Sequence, residues 1–166
     1  GLEDFMSDAL AASDAPTIDC SEGVALLPAL GHEGHDHDTA YDPHIWMDPE
    51  RADQMVRNIG AGLADADPEQ AEQYMENAQT VGFTLYNLKM VLRECIASDQ
   101  SDLQLPHREL ITFHDGFQYF AEAFDFDLLK AIEEEEGSEA SAAEILEIVD
   151  LVQTHDIPAI FTEVNG

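Results

Sequence analysis

From Asp67-Pro68 to about Ile96, apolar residues recur at Tyr74, Ala78, Val81, Leu85, Leu88, Leu92 and Cys95, in alternating steps of four and three. That is one stripe at about 3.5 residues per repeat, the mark of an amphipathic helix. A helix over 68–96 would be roughly 43 Å long at about 1.5 Å of rise per residue. In a chain of 166 residues such a rod must pair with a second chain as a coiled coil, or cross the molecule with both ends packed. Gly82 interrupts the stretch, at a cost of about 1 kcal/mol relative to alanine, and marks a bend or a close approach.

Punctuation sorts the remaining segments. Asp48 before Pro49 reads as an N-cap followed by a first-turn proline, predicting a helix from Pro49 to about Leu63 with Met55, Ile59 and Leu63 on one face. Thr17-Ile18-Asp19-Cys20 reads as a strand edge ahead of the apolar Val24-Ala25-Leu26-Leu27. Residues 31–41 carry histidine, glycine and acid without a period, so they are expected to form a loop. After the polar break of 98–106 the pattern changes: Glu109–Phe113, Phe126–Ile132 and Ala159–Thr162 read as strands, Phe117–Phe124 and Ala140–Thr154 as helices. Strand, helix, strand, helix, strand predicts an α/β fold class with a small parallel sheet. Ligands of such sheets bind beyond the C-terminal ends of the strands, and His114 directly follows Phe113 at such an end.

Composition removes several functions. The chain carries 36 acidic residues against 6 basic ones, a formal charge of -30, spread along its length. A surface of that sign repels phosphate backbones, so no nucleic-acid or anionic-membrane partner is expected. The acid is read as a solvated surface adapted to high salt rather than a calcium buffer, because no Asp-x-Asp-x-Asp-Gly loop is present. No run approaches the roughly 20 apolar residues needed to span a bilayer. The sequence opens at Gly1 without a basic n-region or an apolar signal core, so any targeting segment is expected to be absent or already removed. Cys20 and Cys95 form no CxxC pair, imply no disulfide framework, and read as two small buried apolar residues.

The histidines carry the chemistry. His44 lies in Asp42-Pro43-His44-Ile45-Trp46-Met47-Asp48-Pro49, and His114 in Thr112-Phe113-His114-Asp115-Gly116-Phe117-Gln118-Tyr119-Phe120. Upstream runs Gly31-His32-Glu33-Gly34-His35-Asp36-His37-Asp38, which places four of the seven histidines within thirteen residues. Imidazole is the commonest protein ligand for divalent transition metals, and Asp42 or Asp48 could orient His44 from behind. The alternatives are a helix-start histidine held by a carboxylate for His44, and a plain loop histidine for His114. His32, His35 and His37 suit at most a low-affinity auxiliary capture of metal. His107 and His155 have no clustered partners and read as surface residues.

These motifs together resemble the zinc- and manganese-binding solute receptors of ATP-binding-cassette metal importers. The resemblance rests on the histidine-rich loop, the Asp-Pro-His-Ile-Trp-Met-Asp-Pro element, Asp-Pro before a long helix with Tyr74 and Asn77-Ala78, the Phe-His-Asp-Gly-Phe-Gln-Tyr-Phe element and the closing Ile160-Phe161-Thr162-Glu163. It runs in order along nearly the whole chain from Gly1-Leu2-Glu3. What it implies is a periplasmic or lipid-anchored receptor of two α/β lobes joined by one long helix, with metal in the cleft and no enzymatic step. Residues 1–48 would end the N-terminal lobe, including the loop 31–41. Residues 49–98 would be helical, with the linking helix over 68–96, and 99–166 would form an incomplete C-terminal α/β lobe.

In that pattern His44 and His114 are metal ligands from opposite lobes. The family's first ligand falls upstream of Gly1 and its fourth, an aspartate, downstream of the last strand, so the chain is expected to be an internal piece holding two of four ligands. Glu163 is then a substitute or outer partner, alongside Asp42 and Asp48. Histidine at position 114, where manganese receptors often carry glutamate, tilts the cargo toward zinc, with manganese the alternative. The implied partner is a membrane permease, with no small organic substrate and a monomer for the full-length protein.

Two other classes stay open. A zinc hydrolase would draw on His35-x-His37 and the abundant carboxylates, although no His-Glu-x-x-His helix exists. A structural or adhesive module would use the long helix for self-association.

Overall fold

The computed structural model describes residues 6–29, 41–97, 108–133 and 141–162. A short helix α1, Ser7–Ala11, is followed by an irregular segment, a 3-10 turn Ile45–Met47, and then two long helices, α2 Pro49–Ala66 and α3 Ala71–Ala97. The C-terminal part alternates β1 Glu109–His114, α4 Gln118–Ala123, β2 Asp127–Glu133 and α5 Ala142–His155.

Helix α2 starts where its cap dictates. The Asp48 carboxylate accepts the backbone N–H of Glu50 at 2.9 Å, and Pro49 occupies the first turn, where its missing N–H costs nothing. The helix runs to Ala66 before Asp67-Pro68 restarts the chain as a 3-10 turn, Pro68–Gln70, and then as α3. At 27 residues α3 is roughly 40 Å long at about 1.5 Å per residue.

The long helix packs along α2 of its own chain as an antiparallel hairpin, and the facing stripe differs from the heptad reading. Ala78 and Gly82 are buried and Tyr74, Leu85, Lys89 and Leu92 half-buried, whereas Val81, Leu88 and Cys95 are exposed. Gly82 and Lys89 explain the difference. A side chain at Gly82 would collide with the Asp53 carboxylate, and one at Gly60 would lie 2.7 Å from Cβ of Ala78, so the two glycines let the helix backbones approach. Lys89 turns inward because its ammonium reaches Asp48 at 3.1 Å and Glu50 at 2.7 Å. Both cysteines are free, Cys20 half-buried and Cys95 exposed rather than buried as expected.

Thr17–Cys20 is not a strand. The Asp19 carboxylate accepts hydrogen bonds from the backbone N–H (2.8 Å) and the hydroxyl (2.7 Å) of Ser21, which turns the chain, and Gly23 then takes the left-handed φ of +72°. Those hydrogen bonds also lower the Asp19 pKa, the Ser21 hydroxyl acting most strongly.

The predicted α/β alternation is present through α5, whereas 159–162, expected as a third strand, makes only an isolated parallel bridge at Phe161. β1 pairs in parallel with β2, from Glu109 opposite Asp127 to His114 opposite Glu133, with a register shift between Leu110 and Ile111. On its other side Phe161 closes two backbone hydrogen bonds, accepting from Phe113 and donating to Ile111. β1 is therefore flanked by β2 on one side and by the Phe161 segment on the other. Helix α5 begins with a full capping box between Ser141 and Glu144 and ends at Asp156, whose φ of 52° is left-handed. It covers the sheet with Ile148 against Ile111 and Ile157, joined by Leu129, Ile132, Leu151 and Val152. Among the described residues no helix is long and apolar enough to cross a membrane.

Candidate metal centre

His114 is the last residue of β1, so its side chain projects from the C-terminal edge of the sheet. His44 precedes the 3-10 turn that feeds α2. These positions are seventy residues apart in sequence, yet the two Nε2 atoms face each other at 3.1 Å. The rings meet nearly edge to face, 5.0 Å between centroids and 84° between planes.

His44 is held from behind by Asp42. One carboxylate oxygen of Asp42 accepts the backbone N–H of His44 at 2.8 Å and lies 2.7 Å from its Nδ1. A carboxylate only accepts, so Nδ1 carries the proton and the Nε2 of neutral His44 presents a lone pair toward His114. Asp42 is 2% exposed, and its other oxygen, Oδ2, is buried without a hydrogen-bond partner. A buried carboxylate left half-satisfied is costly, and a cation bound beyond the His44 ring would offset part of that cost.

Two imidazoles on one tetrahedral zinc, each with a Zn–N bond of about 2.0–2.1 Å, place their nitrogens about 3.3 Å apart. The observed 3.1 Å therefore fits a shared divalent ion, with both rings turned the right way. Gly116 keeps the flank of the pair open. A Cβ there would lie 2.9 Å from Cδ2 of His114 and 3.2 Å from Cδ2 of His44, tighter than ordinary contact. Trp46, the chain's only tryptophan, is 47% exposed and sets its ring edge-on to His44 at 5.5 Å.

Asp48 does not join this group. Its carboxylate is occupied by the α2 N-terminus, by Arg51 at 3.2 Å and by Lys89 at 3.1 Å, and this clamp fastens the hairpin's open end. Among the described residues no group of three or more histidine, cysteine, aspartate or glutamate side chains is placed to hold a metal, so the centre offers two imidazoles. Glu163, His32, His35, His37 and His107 lie outside the described residues. His155, half-buried in the last turn of α5, has its Nδ1 3.9 Å from Glu109.

Three residues take part that the sequence reading did not single out: Gly116, Trp46 and Tyr119. Tyr119 is fully buried, accepts the Leu27 N–H at 3.0 Å and donates to the Asp42 carbonyl at 2.9 Å. Burial pushes its phenol pKa up, which keeps the donated proton in place. All three sit within five residues of His44 or His114, which is the signal that would have found them.

The chain belongs to the family described as the periplasmic component A of zinc-uptake complexes, whose family model matches residues 1–165. It is a family of uptake-system components, not of enzymes. A putative metal-binding protein of Treponema pallidum is 29% identical over 174 residues, covering 98% of this chain and 53% of that protein. The manganese-binding lipoprotein MntA of Halalkalibacterium halodurans is 28% identical, with 98% of this chain and 51% of the relative covered. Among solved structures, a Zn(II)-bound variant of AdcAII from Streptococcus pneumoniae superposes with a TM-score of 0.76 at 28% identity, over 92% of this chain and 55% of that one. The chain thus spans about half the length of these three relatives.

Proposed function

We propose that this chain binds zinc between His44 and His114 and serves an ATP-binding-cassette importer by delivering that zinc to a membrane permease from outside the cytoplasm. The observation that carries the reading is the convergence of the two Nε2 atoms at 3.1 Å, with Asp42 fixing the tautomer of one. Neutral imidazole donors suit zinc, whereas manganese prefers carboxylate and water oxygens. Family membership supports the transport role, and relatives are named for zinc uptake, manganese binding and iron binding, so the choice of zinc rests on the two imidazole donors.

Residues 1–48 close one lobe, 49–98 supply the helical link and 99–166 begin the second lobe, so His44 and His114 approach the cargo from opposite sides. Two imidazoles hold zinc far more loosely than a closed tetrahedral set, and water or further donors complete the coordination. Nothing in the site's chemistry requires turnover: the protein's work is to desolvate, hold and release an ion.

The test is a zinc titration followed by Trp46 emission, with chelator competition and single substitutions. His44→Ala and His114→Ala are each expected to weaken zinc by at least the roughly 10-fold that even loss of an outer partner costs. Manganese should compete poorly. A zinc response unchanged in both variants removes the pair from the site, and manganese binding tighter than zinc changes the cargo.

A further inference from the structure

The hydroxyl of Tyr119 is the corner of a closed ring of contacts that passes through both ligand histidines. Tyr119 lies on α4, five residues after His114, and its side chain is completely buried. Its oxygen accepts the N–H of Leu27 at 3.0 Å and donates to the carbonyl of Asp42 at 2.9 Å, while the Asp42 N–H returns to the Leu27 carbonyl at 2.9 Å. One hydroxyl therefore locks two backbone strands side by side. Asp42 in turn holds His44 through both the backbone N–H and Nδ1, and His44 faces His114. The tyrosine ring cannot drift, because the Arg51 guanidinium lies 4.8 Å from its centroid and is itself tied to the Ala25 carbonyl, Asp48 and Glu122.

We propose that Tyr119 is a positioning residue for the metal centre: its hydroxyl sets the register of the Leu27–Asp42 pair, and so the place at which Asp42 presents His44 to His114. The proposal deepens the zinc-binding reading above and rests on it. Ligand constellations work only when held to within about 0.5 Å, and such precision comes from side chains locked by packing and outer hydrogen bonds. The neighbouring aromatic residues, Phe120 on α4 and Phe124 just after it, bring packing without a polar atom. Tyr119 adds the two hydrogen bonds that link α4, which follows the strand ending at His114, to the segment carrying His44.

The experiment uses the full chain with zinc and a chromophoric competitor. Tyr119→Phe keeps the ring and its contact with Arg51 and removes only the hydroxyl. Since an outer partner contributes 10- to 100-fold and Tyr119 stands one link further out, a loss of roughly 3- to 10-fold in zinc affinity is expected. The same substitution in an Asp42→Ala background should cost less than about twofold, because the side chain it acts through is gone. An equal fold-loss in both backgrounds, or no loss in either, overturns the proposal.

His44→Ala separates the two levels. If it leaves zinc affinity unchanged, the metal-site reading fails and this proposal with it; if it abolishes binding while Tyr119→Phe has no effect, only the proposal fails. A measurement on the unsubstituted protein guards against a variant that does not fold. Coupling is reciprocal, so saturating zinc should slow hydrogen exchange of the Leu27 amide by a comparable roughly 3- to 10-fold. An exchange rate indifferent to zinc contradicts the coupling.

Discussion

Asp42 and His44 are joined twice, by a 2.8 Å hydrogen bond to the backbone and a 2.7 Å contact with Nδ1, and both use the same carboxylate oxygen. This leaves the other oxygen buried and unpartnered. The arrangement tolerates an uncompensated charge in exchange for a fixed imidazole, a compromise that makes sense where a cation is expected beyond the ring.

Removing that carboxylate should therefore cut two ways. Asp42→Ala is expected to lower zinc affinity by about 10- to 100-fold, because the tautomer and orientation of His44 are no longer imposed. The metal-free protein should lose less in stability than the loss of two hydrogen bonds suggests, since a buried charge goes with them. Zinc titration and thermal melting of the apo form check the pair of outcomes. An apo protein crippled while zinc affinity is preserved would assign Asp42 to folding alone.

The helix hairpin offers a contrast between two glycines. Adding a methyl group gains about 1 kcal/mol of helix propensity at either position. At Gly60 the new Cβ meets the Cβ of Ala78, which cannot move without its backbone, so Gly60→Ala should be destabilising on balance by about 1–2 kcal/mol. At Gly82 the obstacle is the end of the Asp53 side chain, which can swing away from its exposed partner Arg57, so Gly82→Ala should be near neutral. Chemical denaturation of both variants measures this, and equal losses would contradict the hairpin packing.

Acid should loosen the start of α5. The Ser141 hydroxyl and backbone N–H hold the Glu144 pKa below its usual value, so the native chain binds fewer protons there than the unfolded one, and stability rises with pH through that interval. The contribution is complete above the unfolded value of about 4.5 and is lost as pH falls through the folded one. The stability gap between the parent and Glu144→Gln should then close as pH falls below about 4.5. A gap that widens toward low pH would reverse the sign.

Salt should stabilise the fold. All six basic residues are engaged: Arg51, Arg57, Lys89 and Lys130 with carboxylates, Arg93 and Arg108 with carbonyls. Against them stand 36 acidic residues, so the net field is repulsive. The Debye length shrinks from about 10 Å at 0.1 M to about 3 Å at 1 M, which screens that repulsion more than it weakens the buried Asp48 clamp. The melting temperature should climb across this range in sodium chloride; a fall would mean that ion pairs outweigh self-repulsion.

Local chemistry was legible in the sequence wherever one residue decides the outcome. Asp48-Pro49 starts a helix because a cap and a fixed φ act within one turn, and the period change after residue 108 announces the parallel α/β unit. The rest depended on partners far away. The stripe through Val81, Leu88 and Cys95 is as apolar as the true interface, and only the two glycines and the reach of Lys89 toward Asp48 turn α3 by part of a turn. Asp48 looked as able as Asp42 to serve His44 until Arg51 and Lys89 claimed its oxygens. Tyr119 was one aromatic among several, and its importance comes from Leu27 and Asp42, which are distant in sequence.

The most direct measurement is anomalous scattering at the zinc edge from crystals of the chain soaked with equimolar zinc. The account predicts one dominant peak between the rings of His44 and His114, about 2.0–2.1 Å from each Nε2. Strong zinc density elsewhere, for instance at the acidic segment around Asp19 and Glu22, with none between the two histidines, would contradict it.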